Sequence, residues 1–231
     1  IAQGLMDDNP VSKIRPSDIL KSVERGHYAA IDYYQLPELI SKLDKNEARL
    51  FKQTQLAIEL MMLTFVRTGE LIKAKWEEIS FEDQKWFIGG ERMKMKKDHV
   101  VPLSDRSIEI LNELKHIGYQ REYIFPSLRE PRKHMSNNTI LVALRRMGYS
   151  GIMTGHGFRS LAMSTIKEVL GYRHEVVDRQ LAHAHKNEVD AAYDRALFLK
   201  EREIMMQDWC DLICYMRKNN SHVGYQRKLS Y

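Results

Sequence analysis

The sequence predicts a mainly helical α+β fold with a small three-stranded antiparallel sheet. Most segments carry apolar residues at helical spacing, and in the run from Arg49 to Val66 the residues Leu56, Leu60 and Leu63 share one face. Residues 79–103 differ, because short apolar runs alternate there with turn residues. The chain has 231 residues, 43% of them apolar, which is enough for a sizeable hydrophobic core.

The composition argues against a disordered chain and against a membrane-spanning one. No apolar run approaches the roughly 18 residues that a membrane helix requires, and the first residues do not resemble a signal peptide. Cys210 and Cys214 stand four residues apart, which is the spacing of neighbours on one helix face and does not indicate a disulfide framework. We therefore expect an intracellular protein with no membrane partner.

The first helices are predicted from proline and apolar spacing. Pro37 suits a first helical turn, and Leu39, Ile40 and Leu43 follow it at core spacing. The long helix after it ends near Val66. A short helical piece then runs to residue 75.

The sheet is predicted from three apolar runs separated by turns. The runs are residues 79–81, 86–88 and 100–103. Gly89 and Gly90 interrupt the chain after the second run, and Lys94 is expected near the tip of the last hairpin.

The second half of the chain is predicted to be helical throughout. One helix starts at Ser104 and Asp105 and ends before Gly118, and another follows residues 136–138 and stops near Gly148. Three more apolar patterns follow: one begins at His156, one closes at residues 181–183, and one carries Tyr193. A terminal helix has an apolar face that needs a cover, formed by Met205, Trp209, Leu212 and Met216.

Residues 1–31 differ from the rest, because they contain two prolines and scattered charge without an apolar period. We predict that they form an interdomain linker or the end of another domain. Residues 32–231 then form the main domain, in which residues 200–231 comprise the terminal helix and a basic tail. We expect the tail from Arg217 onward to be poorly ordered.

Charged side chains point to an anionic partner. His156 and Arg159 are three residues apart at the start of a helical run, so they share a face and can grip an oxyanion together. The formal net charge is +5, and the basic residues are grouped. One group is Arg92, Lys94, Lys96 and Lys97, and the other is Arg129, Arg132, Lys133 and His134. Two such loops are expected where a polyanion backbone is bound, although solvated loop charges explain either group alone equally well.

Five short boxes together resemble a known family. In order they are FVRTGEL at 65–71, RMK at 92–94 ahead of HVVPL at 99–103, HGFR at 156–159, LAH at 181–183, and Tyr193. This order resembles the catalytic domain of tyrosine recombinases, more narrowly the phage integrase family and its prophage or genomic-island integrases. Gly89 and Gly90 depart from the family pattern, which mostly has proline there.

The resemblance implies a site for attack on a phosphodiester. The implied catalytic residues are Arg67, Lys94, His156, Arg159, His183 and Tyr193, with Glu70 in support. Tyr193 would be the nucleophile, and the two arginines would clamp the non-bridging oxygens with bidentate forks. His156 would accept the phenol proton, because a free tyrosine has a pKa near ~10. His183 would hydrogen-bond a phosphoryl oxygen.

One role stays open between neighbouring lysines. Lys94 would protonate the departing 5′-oxygen, although Lys96 or Lys97 could supply that proton instead. Together with Arg92, Arg132 and Lys133, the residues Lys96 and Lys97 are predicted to bind DNA.

The resemblance also implies partners and a setting. The catalytic domain would follow a separate N-terminal DNA-binding domain and act on double-stranded DNA attachment sites, as a homotetramer in the synaptic complex. Accessory DNA-bending or directionality proteins are possible partners. The reaction would form a 3′-phosphotyrosyl intermediate without metal, ATP or any other cofactor, in the bacterial cytoplasm at the nucleoid. Integration, excision and resolution are not distinguished.

The same residues also allow other interpretations. A type IB topoisomerase would also form a 3′-phosphotyrosine, and a non-catalytic DNA-binding module could keep a relic of the site. A metal site is disfavoured, because His183 and His185 are two residues apart and do not share a helix face. Taken singly, Arg67 could simply pair with Glu70, and the histidines and Tyr193 could be packing residues. The terminal helix could be covered by its own chain or by a neighbouring protomer.

Overall fold

The computed structural model describes residues 29–118, 121–183 and 198–227. Within these ranges the chain forms eight α-helices and one three-stranded antiparallel sheet, which confirms the predicted fold class. In chain order the elements are α1 (Leu36–Lys45), α2 (Lys52–Thr64), α3 (Thr68–Ile72), β1 (Ile79–Ser80), β2 (Lys85–Ile88), β3 (His99–Pro102), α4 (Asp105–Gly118), α5 (Thr139–Arg146), α6 (Gly157–Glu168), α7 (His174–Gln180) and α8 (Leu199–Asn219).

Helix α2 forms the centre of the core. Every residue from Leu56 to Thr64 is buried, because α4, α5 and α8 pack around it. Helix α8 is fixed to α2 by Trp209, whose indole Nε1 donates to the Met62 carbonyl at 3.0 Å. The Trp209 ring also meets the Phe65 ring edge to face, with centroids 5.4 Å apart. The position where α2 ends is therefore tied to the terminal helix.

The apolar face predicted for the terminal helix is buried against the same chain. Met205, Trp209, Leu212 and Met216 are each at most 1% exposed. Their partners are α1, α2, α4, α7 and β3. Hydrophobic burial thus secures α8 within its own domain.

The prediction of a poorly ordered tail was wrong for residues 217–227. Arg217 lies in the last turn of α8 and forms ion pairs with Asp44 and Glu59. Arg227 folds back onto α8, where its Nε donates to Asp208 Oδ2 at 2.5 Å. Two of the basic residues that suggested a solvated tail, Arg217 and Arg227, thus have acidic partners that are distant in sequence.

The sheet has the order β1-β2-β3, with Trp86 opposite Val101 and Ile88 opposite His99. Residues 89–98 connect β2 to β3 and begin with a 3-10 turn. A Cβ at Gly90 would lie 2.9 Å from the Lys96 carbonyl oxygen, so this close backbone approach requires glycine. The connection that carries Lys94 is therefore folded upon itself.

The predicted linker lies mostly outside the described residues, since the structure begins at residue 29. Its last residue, Ile31, is buried in the core. The Ala29 carbonyl accepts a hydrogen bond from Thr154 Oγ1 at 3.4 Å. None of the described helices is long and apolar enough to cross a membrane.

A buried carboxylate joins three helices. Glu59 on α2 is 5% exposed and accepts from Arg106 of α4, with Oε1 2.9 Å from Nε. Arg217 of α8 approaches the same carboxylate at 2.7 Å. Burial by itself raises the pKa of Glu59, but the hydrogen bond from Arg106 and the charges of both arginines outweigh it and lower the pKa below 4.5.

Replacing this carboxylate should destabilise the fold. We expect Glu59→Gln to lower the free energy of unfolding at pH 7 by about 2 kcal/mol, which is less than for a fully isolated buried pair because both arginines keep other carboxylates. The folded-state pKa is lowered, so the contribution of the charge is present at pH 7 and is lost as the pH falls through that pKa. Urea unfolding at several pH values measures the difference.

The matched control is Glu109→Gln, which removes a 63% exposed partner of the same Arg106. A change of no more than ~0.5 kcal/mol is expected there. Equal losses for both variants would contradict the assignment of Glu59 as the central carboxylate.

Candidate active site

The first arginine of the site is placed by the end of α2. Phe65 ends the helix in the left-handed conformation, with φ of 58°, and the chain then turns into α3. Arg67 directly precedes α3 as its N-cap residue, and its backbone N–H donates to Glu70 Oε2 at 2.8 Å. Its Nη1 also pairs with Glu70 Oε1 at 2.7 Å. The local pairing that the sequence allowed is present, and it orients the guanidinium of Arg67.

The second arginine lies on the first turn of α6. Gly157 opens this helix, and a Cβ there would be 2.5 Å from the Ala29 carbonyl oxygen, so only glycine fits. The side chain of Arg159 is directed inward and is 4% exposed. Its Nη1 donates to the Phe65 carbonyl and its Nη2 to the Leu181 carbonyl. Among the described atoms its Nε has no hydrogen-bond partner.

Both arginines meet at residues 180–183, which we call the carbonyl turn. Arg159 binds the carbonyl of Leu181, and Arg67 Nη2 donates to the next carbonyl, that of Ala182, at 3.1 Å. Ala182 is left-handed, with φ of 48°, a conformation that alanine adopts at a cost of ~1 kcal/mol. The turn thereby presents successive carbonyls to two guanidinium groups.

The electrostatics of the site reflect these neighbouring cations. Burial, and then the charge of Arg67, lower the pKa of Arg159 to about 10, so it remains protonated at pH 7. Loss of water around the His156 ring, followed by the charges of Arg159, Arg67, His183 and Lys94, lowers the pKa of His156 below 6.5. The imidazole of His156 is therefore mainly neutral at pH 7 and can accept a proton.

His183 stands at the end of the carbonyl turn with an exposed side chain. Its Nδ1 donates to Asp178 Oδ1 at 2.6 Å. This contact fixes the ring orientation and leaves Nε2 facing away from the carboxylate. Sequence analysis did not find Asp178, because a residue five positions earlier is not a neighbour on a regular helix.

Lys94 is exposed and lines a cleft of about 430 Å³ together with Arg67 and Glu70. Lys96 and Lys73 line the same cleft, whereas Lys97 does not. The charge of Lys94 contributes to the lowered pKa of His156, after burial and the charges of Arg159, Arg67 and His183. Which of these lysines supplies the proton stays a prediction. Lys73 was missed by sequence analysis, because a lone lysine in a short helical piece carries no signal.

The residues predicted to bind DNA fall into three environments. Arg92 is 13% exposed in its side chain and is held internally, by an ion pair with Glu78 and a hydrogen bond to the Glu70 carbonyl at 2.6 Å. Its DNA role stays a prediction, and the observed contacts tie the β2–β3 connection to α3. Lys96 and Lys97 are exposed on that connection, and Arg132 and Lys133 are exposed on a separate loop.

The predicted nucleophile, Tyr193, lies outside the described residues, as does His185. Among the residues that are described, no group of three or more histidine, cysteine, aspartate or glutamate side chains could hold a metal ion.

Comparison with known proteins places the chain among integrases. Residues 30–199 match the phage integrase family. Prophage integrase IntA of Escherichia coli is 37% identical over 210 residues, which cover 91% of this chain and 50% of that protein. The integrase of enterobacteria phage P4 is 36% identical over 223 residues, covering 90% and 50%. The chain spans about half the length of these curated relatives.

Solved structures share the fold at lower identity. A lambda integrase (75–356) dimer bound to a COC′ core site has a TM-score of 0.57 at 21% identity, covering 81% of this chain and 67% of that one. The integrase of mycobacterium phage Brujita has the same score and identity, covering 89% and 65%. A family match over most of the chain and relatives above 30% identity identify this protein as a member of the phage integrase family.

Proposed function

We propose that this protein is a site-specific DNA recombinase that cleaves and rejoins strands through a 3′-phosphotyrosyl intermediate, and so integrates or excises a prophage or genomic island. The observation that carries the proposal is the meeting of Arg67 and Arg159 on adjacent carbonyls of the carbonyl turn, beside His156 and His183. An arrangement of fixed cations around a neutral base is suited to an anion that gains charge during reaction.

The two arginines supply the electrostatic part of the reaction. Internal contacts hold each guanidinium in place before substrate arrives, so little reorganisation is needed when charge develops on phosphorus-bound oxygens. The Arg159 guanidinium donates to two neutral carbonyls, which orient the group without cancelling its charge. The remaining N–H groups can bind the non-bridging oxygens in a bidentate manner.

The reaction requires two proton transfers, one from the nucleophile and one to the leaving oxygen. The Tyr193 hydroxyl attacks phosphorus, and His156 accepts the phenol proton as the new O–P bond forms. The bond to the 5′-oxygen breaks, and Lys94 gives that oxygen a proton. The products are a 3′-phosphotyrosyl enzyme and a 5′-hydroxyl strand. Attack by another 5′-hydroxyl reverses the same steps, so rejoining needs neither ATP nor metal.

The substrate in this proposal is a pair of double-stranded attachment sites, bound by a homotetramer in the bacterial cytoplasm. Solved relatives support such an assembly, because one is a lambda integrase tetramer bound to a Holliday junction. Exposed lysines on the β2–β3 connection would contact the phosphate backbone.

Covalent trapping in EDTA tests the nucleophile. We expect the wild-type protein, in its full-length form, to give a denaturation-resistant adduct with nicked DNA from its own chromosomal junction, because the reaction uses no metal. Tyr193→Phe should bind the same DNA and give no adduct. Binding by both proteins with no adduct from either would support a DNA-binding module instead, and relaxation of supercoils without a specific site would support a topoisomerase.

The pH dependence of adduct formation tests His156. The lowered pKa of His156 predicts a rate that stays high at pH 7 and falls as the pH drops through that pKa and the imidazole becomes protonated. Single-turnover rates measured from pH 5 to 8 give this profile. In His156→Gln the remaining rate should lose that acid limb. An unchanged acid limb in the variant would show that another group accepts the proton.

The contact between Asp178 and His183 should matter for rate. We expect Asp178→Leu to slow adduct formation by roughly 10- to 100-fold, because the His183 ring loses its fixed orientation. Nitrogen NMR of the His183 ring should also report loss of the Nδ1–H form. The control is Glu175→Leu, an exposed carboxylate on the same helix, which should change neither measurement. A normal rate in a folded Asp178→Leu protein would contradict this role.

A further inference from the structure

Three consecutive carbonyls of the carbonyl turn each accept a hydrogen bond from a side chain of a different element. Arg159 of α6 donates to Leu181, and Arg67 from the start of α3 donates to Ala182. The third donor is His99 of β3, whose Nε2 lies 3.1 Å from the Gln180 carbonyl. A carbonyl can only accept, so Nε2 carries the hydrogen. The carbonyl turn is thus held from three sides.

The side chain of Gln180 also fixes the carbonyl turn, through contacts with α2 and α8. Its Nε2 donates to the Thr64 carbonyl at the end of α2, at 3.2 Å. Its Oε1 accepts two hydrogen bonds from Arg202 of α8, from Nε at 3.0 Å and from Nη2 at 2.7 Å. Arg202 Nη2 also donates to the Val100 carbonyl of β3. The Arg202 side chain therefore links α8 and β3 to the carbonyl turn.

Arg202 and His99 are polar side chains that are costly to bury, which argues for a role beyond packing. Arg202 is 1% exposed and His99 is 6% exposed. Burial, and then the charge of Arg179, lower the pKa of Arg202 to about 10. Burial and the charges of Arg202, Arg179 and Arg159 lower the pKa of His99 to about 3, so its ring is neutral. An apolar pair would fill this space without the desolvation cost.

We propose that Arg202 and His99 are positioning residues for strand cleavage: they hold the carbonyl turn at the position where its carbonyls orient Arg67 and Arg159. This inference rests on the proposed function. Arg202 acts through Gln180 and makes no contact with substrate in this proposal. Because Arg202 belongs to α8, docking of the terminal helix and alignment of the two arginines become one event.

The test compares Arg202→Met with a matched arginine. Methionine keeps much of the buried volume and loses the hydrogen bonds to Gln180. The control is Arg173→Met, because Arg173 also links α7 to α8, through Glu201 at 2.7 Å, but its side chain is 60% exposed and does not touch the carbonyl turn. Arg202→Lys serves as the conservative variant, since an ammonium can still give one bond to Gln180.

Two measurements on these proteins are needed. Single-turnover adduct formation at saturating DNA should fall about 10- to 100-fold in Arg202→Met, fall less in Arg202→Lys, and stay within about twofold in Arg173→Met. The dissociation constant for DNA should stay within about twofold in all three. The second measurement is hydrogen exchange without DNA. The amides of Leu181 and Ala182 are bonded to the Val177 and Arg179 carbonyls. Of the three variants, only Arg202→Met should exchange these two amides faster than the wild type.

A variant at a second residue, His99, keeps the inference testable if Arg202→Met misfolds. If Arg202→Met does not fold, His99→Leu removes only the donor to the Gln180 carbonyl and should give the same slower rate and faster exchange. A folded Arg202→Met or His99→Leu protein that forms the adduct at the wild-type rate would overturn the inference, whatever its rate of hydrogen exchange. If the wild type itself forms no adduct, the proposed function fails, and exchange at the turn still reports whether these residues hold it.

Discussion

The structure depends on holding Arg67 and Arg159 together although their charges repel. Each guanidinium donates to a neighbouring carbonyl of the carbonyl turn, and Arg159 reaches the end of α2 as well. The repulsion is visible in the pKa of Arg159, which burial and the charge of Arg67 lower to about 10. The rest of the fold provides the energy that keeps this arrangement, since the elements that carry the arginines share one core.

The hydrogen-bond acceptors of the two arginines are mostly backbone carbonyls, which explains how the site stays cationic. A carboxylate would bond to Nη1 and Nη2 of Arg159 but would also neutralise the guanidinium, whereas the two backbone carbonyls bond to these atoms and leave the charge. Arg67 does pair with Glu70, yet one oxygen of that carboxylate is also bonded to a backbone N–H. Burial, and then the positive charges of Arg159, Arg67, His183 and Lys94, lower the pKa of His156.

The terminal helix has more than a packing role in this arrangement. Trp209 ties α8 to the end of α2, and Arg202 ties it to the carbonyl turn through Gln180. Arg217 connects the far end of the same helix to Glu59 and Asp44. These contacts join α8 to the end of α2, just before Arg67, and to the carbonyl turn that both arginines bind.

The sequence by itself determined the fold class and the family, and it predicted which residues form the site, because apolar period, turn residues and the order of five boxes are local signals. The tertiary structure alone decided how those residues are held. Every residue has a carbonyl, so the acceptors at Phe65, Leu181 and Ala182 leave no mark in the sequence. The contacts of Asp178 and Arg202, and the order of the basic tail, likewise depend on which distant groups the fold brings into reach.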